Sequence, residues 1–158
     1  MQDNPASDFG DAEGHAHMDN VGRPLPVPDQ SSEGFWAAAS DHVLAIQHCG
    51  HCDNAAHPPV IVCSACLSPD SEFDFRPISG TGRMRTWTVI QDPFLPGFRA
   101  EVPYIIADVE FDDVPDVRMV ARLTIDGEAP LVIGAPTETT FEDVASGIAL
   151  PRFRLLRG

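Results

Sequence analysis

Four cysteines carry the clearest chemistry in this sequence, and they are all the cysteines the chain has. They form two Cys-x2-Cys pairs, Cys49/Cys52 and Cys63/Cys66, with ten residues between the pairs. Each pair can fold as a tight turn that aims two thiolates at one point. Two such turns supply the closed tetrahedral shell that Zn²⁺ prefers in structural sites. The spacing predicts a zinc ribbon whose metal is structural, because four protein ligands leave no position for a reactive water.

Other uses of these thiols are open. Iron in a rubredoxin-type centre takes the same four-thiolate shell. Two disulfides are disfavoured, because Cys49 and Cys52 are too close to cross-link comfortably and no secretory leader indicates an oxidising compartment. A redox Cys-x-x-Cys normally opens a helix in a strand–helix–strand unit and is not doubled. His48, His51 and His57 are spare candidate ligands, although a full thiolate shell favours reading them as exposed loop histidines.

The remaining composition is that of a globular chain. Its 158 residues suffice for one core, or for two small modules that share an interface. Fifteen prolines and twelve glycines predict many turns and little long helix. The sequence has no apolar run of transmembrane length and no basic-then-apolar leader. We therefore expect a soluble, cytoplasmic protein without a membrane partner.

The charge balance bears on the choice of partner. The formal net charge is −14, from 24 acidic residues against ten basic ones, all of which are arginine. A nucleic-acid-binding face must be basic to neutralise phosphates, so this chain is expected to bind no nucleic acid. A single-stranded nucleic-acid module remains the rival interpretation, and its candidate residues are Trp87, Phe94, Phe98 and Tyr104 with Arg83, Arg85 and Arg99.

Two segments precede the cysteines. Residues 1–32 are predicted to be a flexible tail, acidic at first and then proline-rich through Pro24, Pro26 and Pro28. The alternative is an arm that becomes ordered on a partner surface. Residues 33–48 are predicted to be an N-terminal helix, with Ser31 or Ser32 as its N-cap and apolar residues repeating every three to four positions. Its last residues, 43–47, could already be extended.

The remainder reads as β structure. The zinc ribbon is assigned to 49–78, with Val60–Val62 strand-like between the cysteine pairs. Residues 79–158 are assigned to a barrel domain with predicted strands over 84–91 (buried on both faces), 103–111, 117–125, 137–141 and 150–155 (a final edge strand). Five uneven strands bent by glycines are typical of a small Greek-key barrel of the OB type. The predicted fold is mainly β: an N-terminal helix, a rubredoxin-like zinc ribbon and a C-terminal five-stranded OB-fold barrel.

No catalytic set stands out in the sequence. There is no phosphate-binding glycine loop before a helix, no Gly-x-Ser-x-Gly elbow, and no cysteine left over as a nucleophile. The histidines all precede the barrel domain. Acidic residues around 108–113 are typical of a solvated strand edge. The sequence favours a binding or scaffolding role over an enzyme.

Taken in order, these pieces resemble a known family, the zinc-ribbon/OB-fold proteins encoded beside thiolases. The resemblance spans about residues 33–155. It rests on the Phe-Trp helix, the two cysteine pairs, a Ser-Gly-x-Gly bend, a Pro-Tyr strand start and a Leu-Pro-x-Phe ending. The corresponding residues here are Phe35-Trp36, the four cysteines, Ser79-Gly80-Thr81-Gly82, Pro103-Tyr104 and Leu150-Pro151-Arg152-Phe153.

That resemblance implies a function. Members are typically non-catalytic partners of thiolase-fold enzymes, among them acyl-CoA thiolases such as benzoylsuccinyl-CoA thiolase, hydroxymethylglutaryl-CoA synthase and steroid side-chain retro-aldolases. The chain is accordingly expected to form a hetero-oligomer and to help enclose the pantetheine arm of an acyl-CoA. On this hypothesis Phe94, Phe98, Arg99 and Tyr104 lie near CoA, and Phe35 and Trp36 dock the partner. A stand-alone acyl-CoA-binding protein is a further alternative.

Overall fold

One short helix, a three-stranded sheet and a closed five-stranded barrel follow one another along the chain. The computed structural model describes residues 22–70, 72–127 and 130–157, so the acidic part of the predicted tail lies outside the described residues. The elements are α1 (Glu33–Ser40), β1 (Ala45–Cys49), β2 (Ala55–Ala56), β3 (Phe73–Pro77), β4 (Thr81–Ile90), a 3₁₀ helix (Pro96–Glu101), β5 (Tyr104–Phe111), β6 (Arg118–Ile125), β7 (Pro136–Ala145) and β8 (Ile148–Leu155).

Helix α1 is shorter than the predicted 33–48. It ends at Ser40, where His42 adopts a positive φ of 58° and the chain turns into β1. The backbone N–H groups of His42 and Val43 donate to the last helical carbonyls, which closes the helix end. At the other end Ser32 is the N-cap residue, as predicted, but its side chain makes no capping bond to the helix. Instead, the carboxylate of Asp29 accepts hydrogen bonds from the N–H and hydroxyl groups of both Ser31 and Ser32. These bonds lower the pKa of Asp29 to about 2.

The ribbon sheet has the strand order β2-β1-β3, and all of its pairs are antiparallel. Its central strand β1 is buried along its whole length. The strand predicted at Val60–Val62 does not form. The side chain of buried Gln47 pairs with the backbone of Val60 instead, donating to its carbonyl at 3.0 Å and accepting from its N–H at 2.8 Å. A side-chain amide thus satisfies peptide groups that a neighbouring strand would otherwise satisfy.

The barrel closes in the order β4-β5-β6-β8-β7, with β7 returning to β4. All pairs are antiparallel except β6 and β8, which run parallel over only three residue pairs, from Leu123–Phe153 to Ile125–Leu155. The final strand was predicted to be an edge strand, and that was wrong. It pairs with β6 on one side and with β7 on the other, and a tight turn at residues 146–147 joins β7 to β8.

Strand β4 was predicted to be buried on both faces, and that was also wrong. A β-bulge between Met84 and Thr86 shifts the register against β5. As a result Arg85 and Thr86 are both exposed, while Met84 is fully buried and Trp87 packs against the core. Because of the bulge, the strand has one face toward the core and one toward solvent, even though bulky residues occupy both alternating sets of positions in its sequence.

One continuous core joins the barrel to the helix and the ribbon sheet. Phe35, Leu44 and Ile46 belong to the same buried cluster as the barrel residues Phe111 and Phe153. Strands β4 and β5 approach each other closely at Gly82, where a Cβ would lie 2.4 Å from the Glu110 carbonyl oxygen. This close backbone approach explains the second glycine of the Ser-Gly-x-Gly bend.

The proline-rich arm, residues 22–28, lies extended against this chain's own barrel. A Cβ on Gly97 would lie 2.8 Å from the backbone nitrogen of Arg23, so the 3₁₀ helix and the arm are in close contact. The Arg23 guanidinium forms an ion pair with Glu101 and lies 5.4 Å from the Phe98 ring centroid. Among the described residues, no helix is long and apolar enough to cross a membrane.

Candidate metal centre and apolar groove

The two cysteine pairs adopt the same backbone turn. In each turn the carbonyl of the first cysteine accepts a hydrogen bond from the N–H four residues later: Asp53 to Cys49 at 2.8 Å, and Leu67 to Cys63 at 2.9 Å. The residue that donates has a positive φ in both cases, 63° at Asp53 and 54° at Leu67. The ribbon therefore holds two matching knuckles.

The four thiols converge on one point. All four sulfur atoms lie within 4.8 Å of one another, with Cys49 Sγ 3.8 Å from Cys66 Sγ and Cys52 Sγ 3.6 Å from Cys63 Sγ. Four sulfurs tetrahedrally placed about 2.3 Å from Zn²⁺ would stand about 3.8 Å apart. A disulfide needs about 2.05 Å, and none of the four cysteines forms one. The arrangement fits a tetrahedral metal and excludes the disulfide alternative.

The first knuckle is held by neighbouring elements. Strand β1 supplies Cys49, and the N–H of Gly50 donates to the Glu72 carbonyl at 2.8 Å. Arg76 on β3 reaches across to Asp53 at 2.5 Å. Cys49 and Cys63 are buried while Cys52 is exposed, so the metal would lie at the rim of the ribbon.

None of the three candidate histidines joins the thiol cluster. His51 is exposed, His48 is buried in β1, and His57 packs against the Phe35 ring at a centroid distance of 5.1 Å. The Nδ1 atom of His57 is buried and has no hydrogen-bond partner. Its burial lowers the pKa of His57 from 6.5 to about 4, so the imidazole is neutral at physiological pH.

An apolar groove runs along the outside of the barrel where β6 and β8 diverge beyond their short parallel ladder. Its floor is Val120, Ala121, Leu150 and Pro151, which line two adjoining cavities. The helix-side cavity, of about 440 Å³, is bounded by α1 and the His57–Pro59 segment. The arm-side cavity, of about 260 Å³, is bounded by the arm, Tyr104 and the 3₁₀ helix.

The structure separates the residues that were predicted to contact the partner or CoA. Phe35 is only 5% exposed and packs in the core, so it presents no docking surface; Trp36 beside it is half-buried and faces the helix-side cavity. Phe98 and Tyr104 lie together in the arm-side cavity, with ring centroids 6.2 Å apart. Phe94 is 96% exposed in the loop after β4, and Arg99 is exposed on the 3₁₀ helix.

The sequence analysis missed the charged residues of the arm-side cavity. Arg122 lies 4.7 Å from the Tyr104 ring centroid and forms an ion pair with Glu101, while Arg152 forms an ion pair with Glu142. These arginines occupy outward-facing positions of β6 and β8. The alternation of side chains along each strand predicts which face these arginines are on. They lie close together only because β6 and β8 are neighbours in the barrel.

Carboxylates lie beside the arginines on the β4–β5–β6 part of the barrel exterior. Of the arginines suggested for nucleic-acid binding, Arg83 lies 3.9 Å from Asp112 and Arg85 lies 3.3 Å from Glu110. On β6, Arg118 lies 3.1 Å from Asp108. Neighbouring carboxylates neutralise these guanidiniums, which leaves little positive potential to attract phosphates.

Helix, four-thiolate ribbon and closed OB-type barrel define a two-module zinc-ribbon/OB-fold protein. Family models match both modules: the rubredoxin-like zinc ribbon domain of ChsH2 over residues 36–72, and the C-terminal OB-fold domain of ChsH2 over residues 75–142. The chain belongs to the DUF35 family of ChsH2-type proteins.

Similar proteins agree with this assignment. A chain of the solved Ltp2-ChsH2(DUF35) aldolase is 32% identical, with a TM-score of 0.69 over 82% of this chain and 98% of that one. A DUF35 protein of unknown function from Sulfolobus solfataricus shares the fold, with a TM-score of 0.54, 16% identity, and coverage of 80% of this chain and 86% of that one.

One curated relative is a "probable enoyl-CoA hydratase alpha subunit" from Thermomonospora curvata. It is 33% identical over 134 residues, which is 84% of this chain and 40% of the relative. This chain therefore spans less than half of that protein's length. One of these relatives is thus named as part of an aldolase, and the other as a hydratase subunit.

Proposed function

We propose that this chain is a zinc-binding, non-catalytic accessory subunit of a thiolase-type acyl-CoA enzyme, such as a thiolase or a retro-aldolase. The observation that carries the proposal is the similarity over nearly the whole length of a chain found in the Ltp2-ChsH2(DUF35) aldolase. The partner would supply the reacting groups. This chain would stabilise the complex and help enclose the acyl-CoA and its pantetheine arm.

The metal centre suits a structural role in such a subunit. Zinc bound by four thiolates keeps no open coordination position, so it supplies cross-linking and no reacting group. The chain's own residues hold α1, β1 and β3 in a fixed orientation relative to the barrel. A rigid ribbon presents the same surface to a partner each time they meet, which lowers the ordering cost of assembly.

The loop of residues 91–103 is the best candidate for the contact with partner and substrate. A phenylalanine as exposed as Phe94 leaves a large apolar side chain in water, and such side chains are commonly buried when a complex forms. Behind it, Phe98 and Tyr104 face the arm-side cavity and Arg99 is exposed beside them. In this proposal the loop covers the acyl-CoA site, excludes water and orders a flexible substrate, while Trp36 contacts the partner.

Co-expression with a genomically adjacent thiolase-type protein tests the assignment. We expect a stable complex on gel filtration, and an acyl-CoA turnover by the complex that exceeds that of the partner alone. If the partner is fully active by itself and the two chains do not associate, the proposal is wrong.

A pair of surface variants locates the interface. Phe94→Ser should weaken association at least tenfold without changing the melting temperature of the isolated chain, because the side chain packs on nothing in that chain. Ile133→Ser is the matched control. It is also an exposed apolar residue, but the segment that carries it bonds to Met84 in the first half of β4, whereas Phe94 follows the end of that strand. Equal effects of the two substitutions would remove the 91–103 loop from the interface.

A further inference from the structure

The arm-side cavity combines an apolar floor with a rim of arginines. Its floor is formed by outward-facing side chains of the barrel, chiefly Tyr104, Ile106 and Leu150, with Phe98 on the 3₁₀ helix. The arm covers it through Pro24 and Leu25. At about 260 Å³ it lies just below the ~300 Å³ at which pockets for drug-sized ligands begin, so it suits a ligand of one ring or a short chain.

The charges at this rim do not balance. Three guanidiniums, those of Arg23, Arg122 and Arg152, share two carboxylates, those of Glu101 and Glu142. Arg23 and Arg122 both pair with Glu101. Arg152 pairs with Glu142, and Arg23 lies 3.8 Å from that same carboxylate. Among the described residues of this rim, one positive charge is therefore in excess, in a chain whose formal net charge is −14.

Arg152 is the least satisfied of these three guanidiniums, and Oε2 of its partner Glu142 is likewise buried without a hydrogen bond. The Arg152 side chain is only 12% exposed, and its Nε–H is buried without a hydrogen-bond partner. Burial, together with the neighbouring guanidiniums of Arg122 and Arg23, lowers the pKa of Arg152. An unpaired buried donor carries a desolvation cost, which an anionic acceptor placed in the cavity would remove.

We propose that the arm-side cavity binds the carboxylate of a small apolar acid, with the carboxylate against Arg152 and the apolar body on Phe98, Tyr104 and Ile106. A planar carboxylate matches the fork of a guanidinium, and its single negative charge matches the single excess positive charge. The aromatic and aliphatic floor rewards burial of a ring or an alkyl chain. The isolated chain would bind this acid without a partner, so the proposal can be tested separately from any role in an enzyme complex.

Calorimetric titration of the full, zinc-loaded chain tests this site, with benzoate as the probe. Benzyl alcohol serves as a neutral ligand of similar shape, and acetate serves as an anion without an apolar body. We expect benzoate to bind at least tenfold more tightly than either. Absence of benzoate binding, or equal affinities of benzoate and benzyl alcohol, would overturn the proposal. So would equal affinities of benzoate and acetate, because that result describes a surface charge patch and no cavity.

Three variants assign the site. Arg152→Gln should weaken benzoate binding at least tenfold. Arg154→Gln, on the same face of β8 but paired with Glu138, should stay within twofold of the wild type. Val144→Phe fills the cavity from its wall and keeps every arginine, so it should abolish binding even if Arg152→Gln fails to fold. A folded Val144→Phe protein that binds benzoate like the wild type would contradict the assignment.

Discussion

In the barrel the fully buried large side chains are apolar except for Thr137, and they include Phe111, Phe153, Met84 and Val109. In the ribbon two of the three such residues, Cys49 and Cys63, are cysteines. The ribbon has one buried strand, β1, and two short partners. Small modules of this kind commonly need a structural metal in addition to burial, and the four thiolates are placed to hold one. The barrel buries enough side chains to need no such help. The proposed zinc would therefore stabilise one module of this chain, and packing stabilises the other.

Removing a metal ligand should give the largest effect and separate the two modules. Cys63→Ser is expected to lose zinc and to unfold the ribbon, because apparent binding energies of structural zinc, about 10–16 kcal/mol, exceed the stability of most domains. Hydrogen exchange should show lost protection in β1 and β3, with protection retained in β5 and β8. Ser64→Ala, an exposed neighbour inside the same knuckle, is the control. A metal-free Cys63→Ser protein with full protection in β1 would break the comparison.

The matching test in the barrel is a large-to-small substitution. Phe153→Ala removes a fully buried ring and should lower the free energy of unfolding by about 3–5 kcal/mol without loss of zinc. Phe94→Ala is the control, because that ring is almost fully exposed and its loss should change stability by less than about 0.5 kcal/mol. Denaturant unfolding of the two variants measures the difference. Similar losses from both would mean that the barrel is not stabilised by this core.

Acid should act where the two modules meet. The folded-state pKa of His57 is about 4 and its ordinary value is 6.5, so the unfolded chain binds this proton more tightly. Stability is unaffected by His57 above about pH 6.5 and falls as the pH drops toward 4, by at most about 3 kcal/mol. His57→Phe keeps the contact with Phe35 and should remove this component.

Unfolding of the zinc-loaded protein at pH 7 and pH 5 tests the prediction. The loss of stability between the two pH values should be smaller in His57→Phe than in the wild type. His51→Gln, which changes an exposed histidine, should keep the wild-type loss. If His57→Phe loses as much stability as the wild type, another group is responsible.

The smallest effect concerns the backbone of the knuckles. Leu67 holds a positive φ of 54° while its side chain is 70% exposed, so it bears conformational strain for little burial. Leu67→Gly should raise the free energy of unfolding by about 0.5–1 kcal/mol. Leu67→Ala keeps the Cβ and should bring no gain. Asp53→Gly should gain less, because it also loses the contact with Arg76. A destabilised Leu67→Gly protein would show that this side chain is structurally required.

Much of the architecture could be predicted because local patterns determine it. The cysteine spacing identified the metal centre, and the strands at 103–111 and 117–125 lie within one residue of their predicted bounds. The Met84–Thr86 bulge could not be foreseen, since the strand's alternation is broken by its pairing with β5. The place of β8 inside the barrel was missed for a similar reason, because it depends on a parallel ladder with β6.

The candidate functional residues show the same difference between what local sequence patterns predict and what depends on distant pairing. The four cysteines lie close together in the sequence, and their spacing predicted that their thiols would cluster. The cluster at Arg23, Arg122 and Arg152 draws on three distant segments, and no local pattern marks it. The burial of Phe35 could not be predicted, because an aromatic on a short helix looks the same in sequence whether it faces the core or a partner.

The pairing of Gln47 with Val60 has a consequence for how this surface can change over evolution. The amide holds the loop between the knuckles through main-chain atoms, which every residue at position 60 other than proline would supply. The exposed side chains that follow, Ile61 and Val62, can therefore be exchanged without loosening the loop. A lineage could alter what this edge of the ribbon recognises while keeping position 47 and the cysteines fixed.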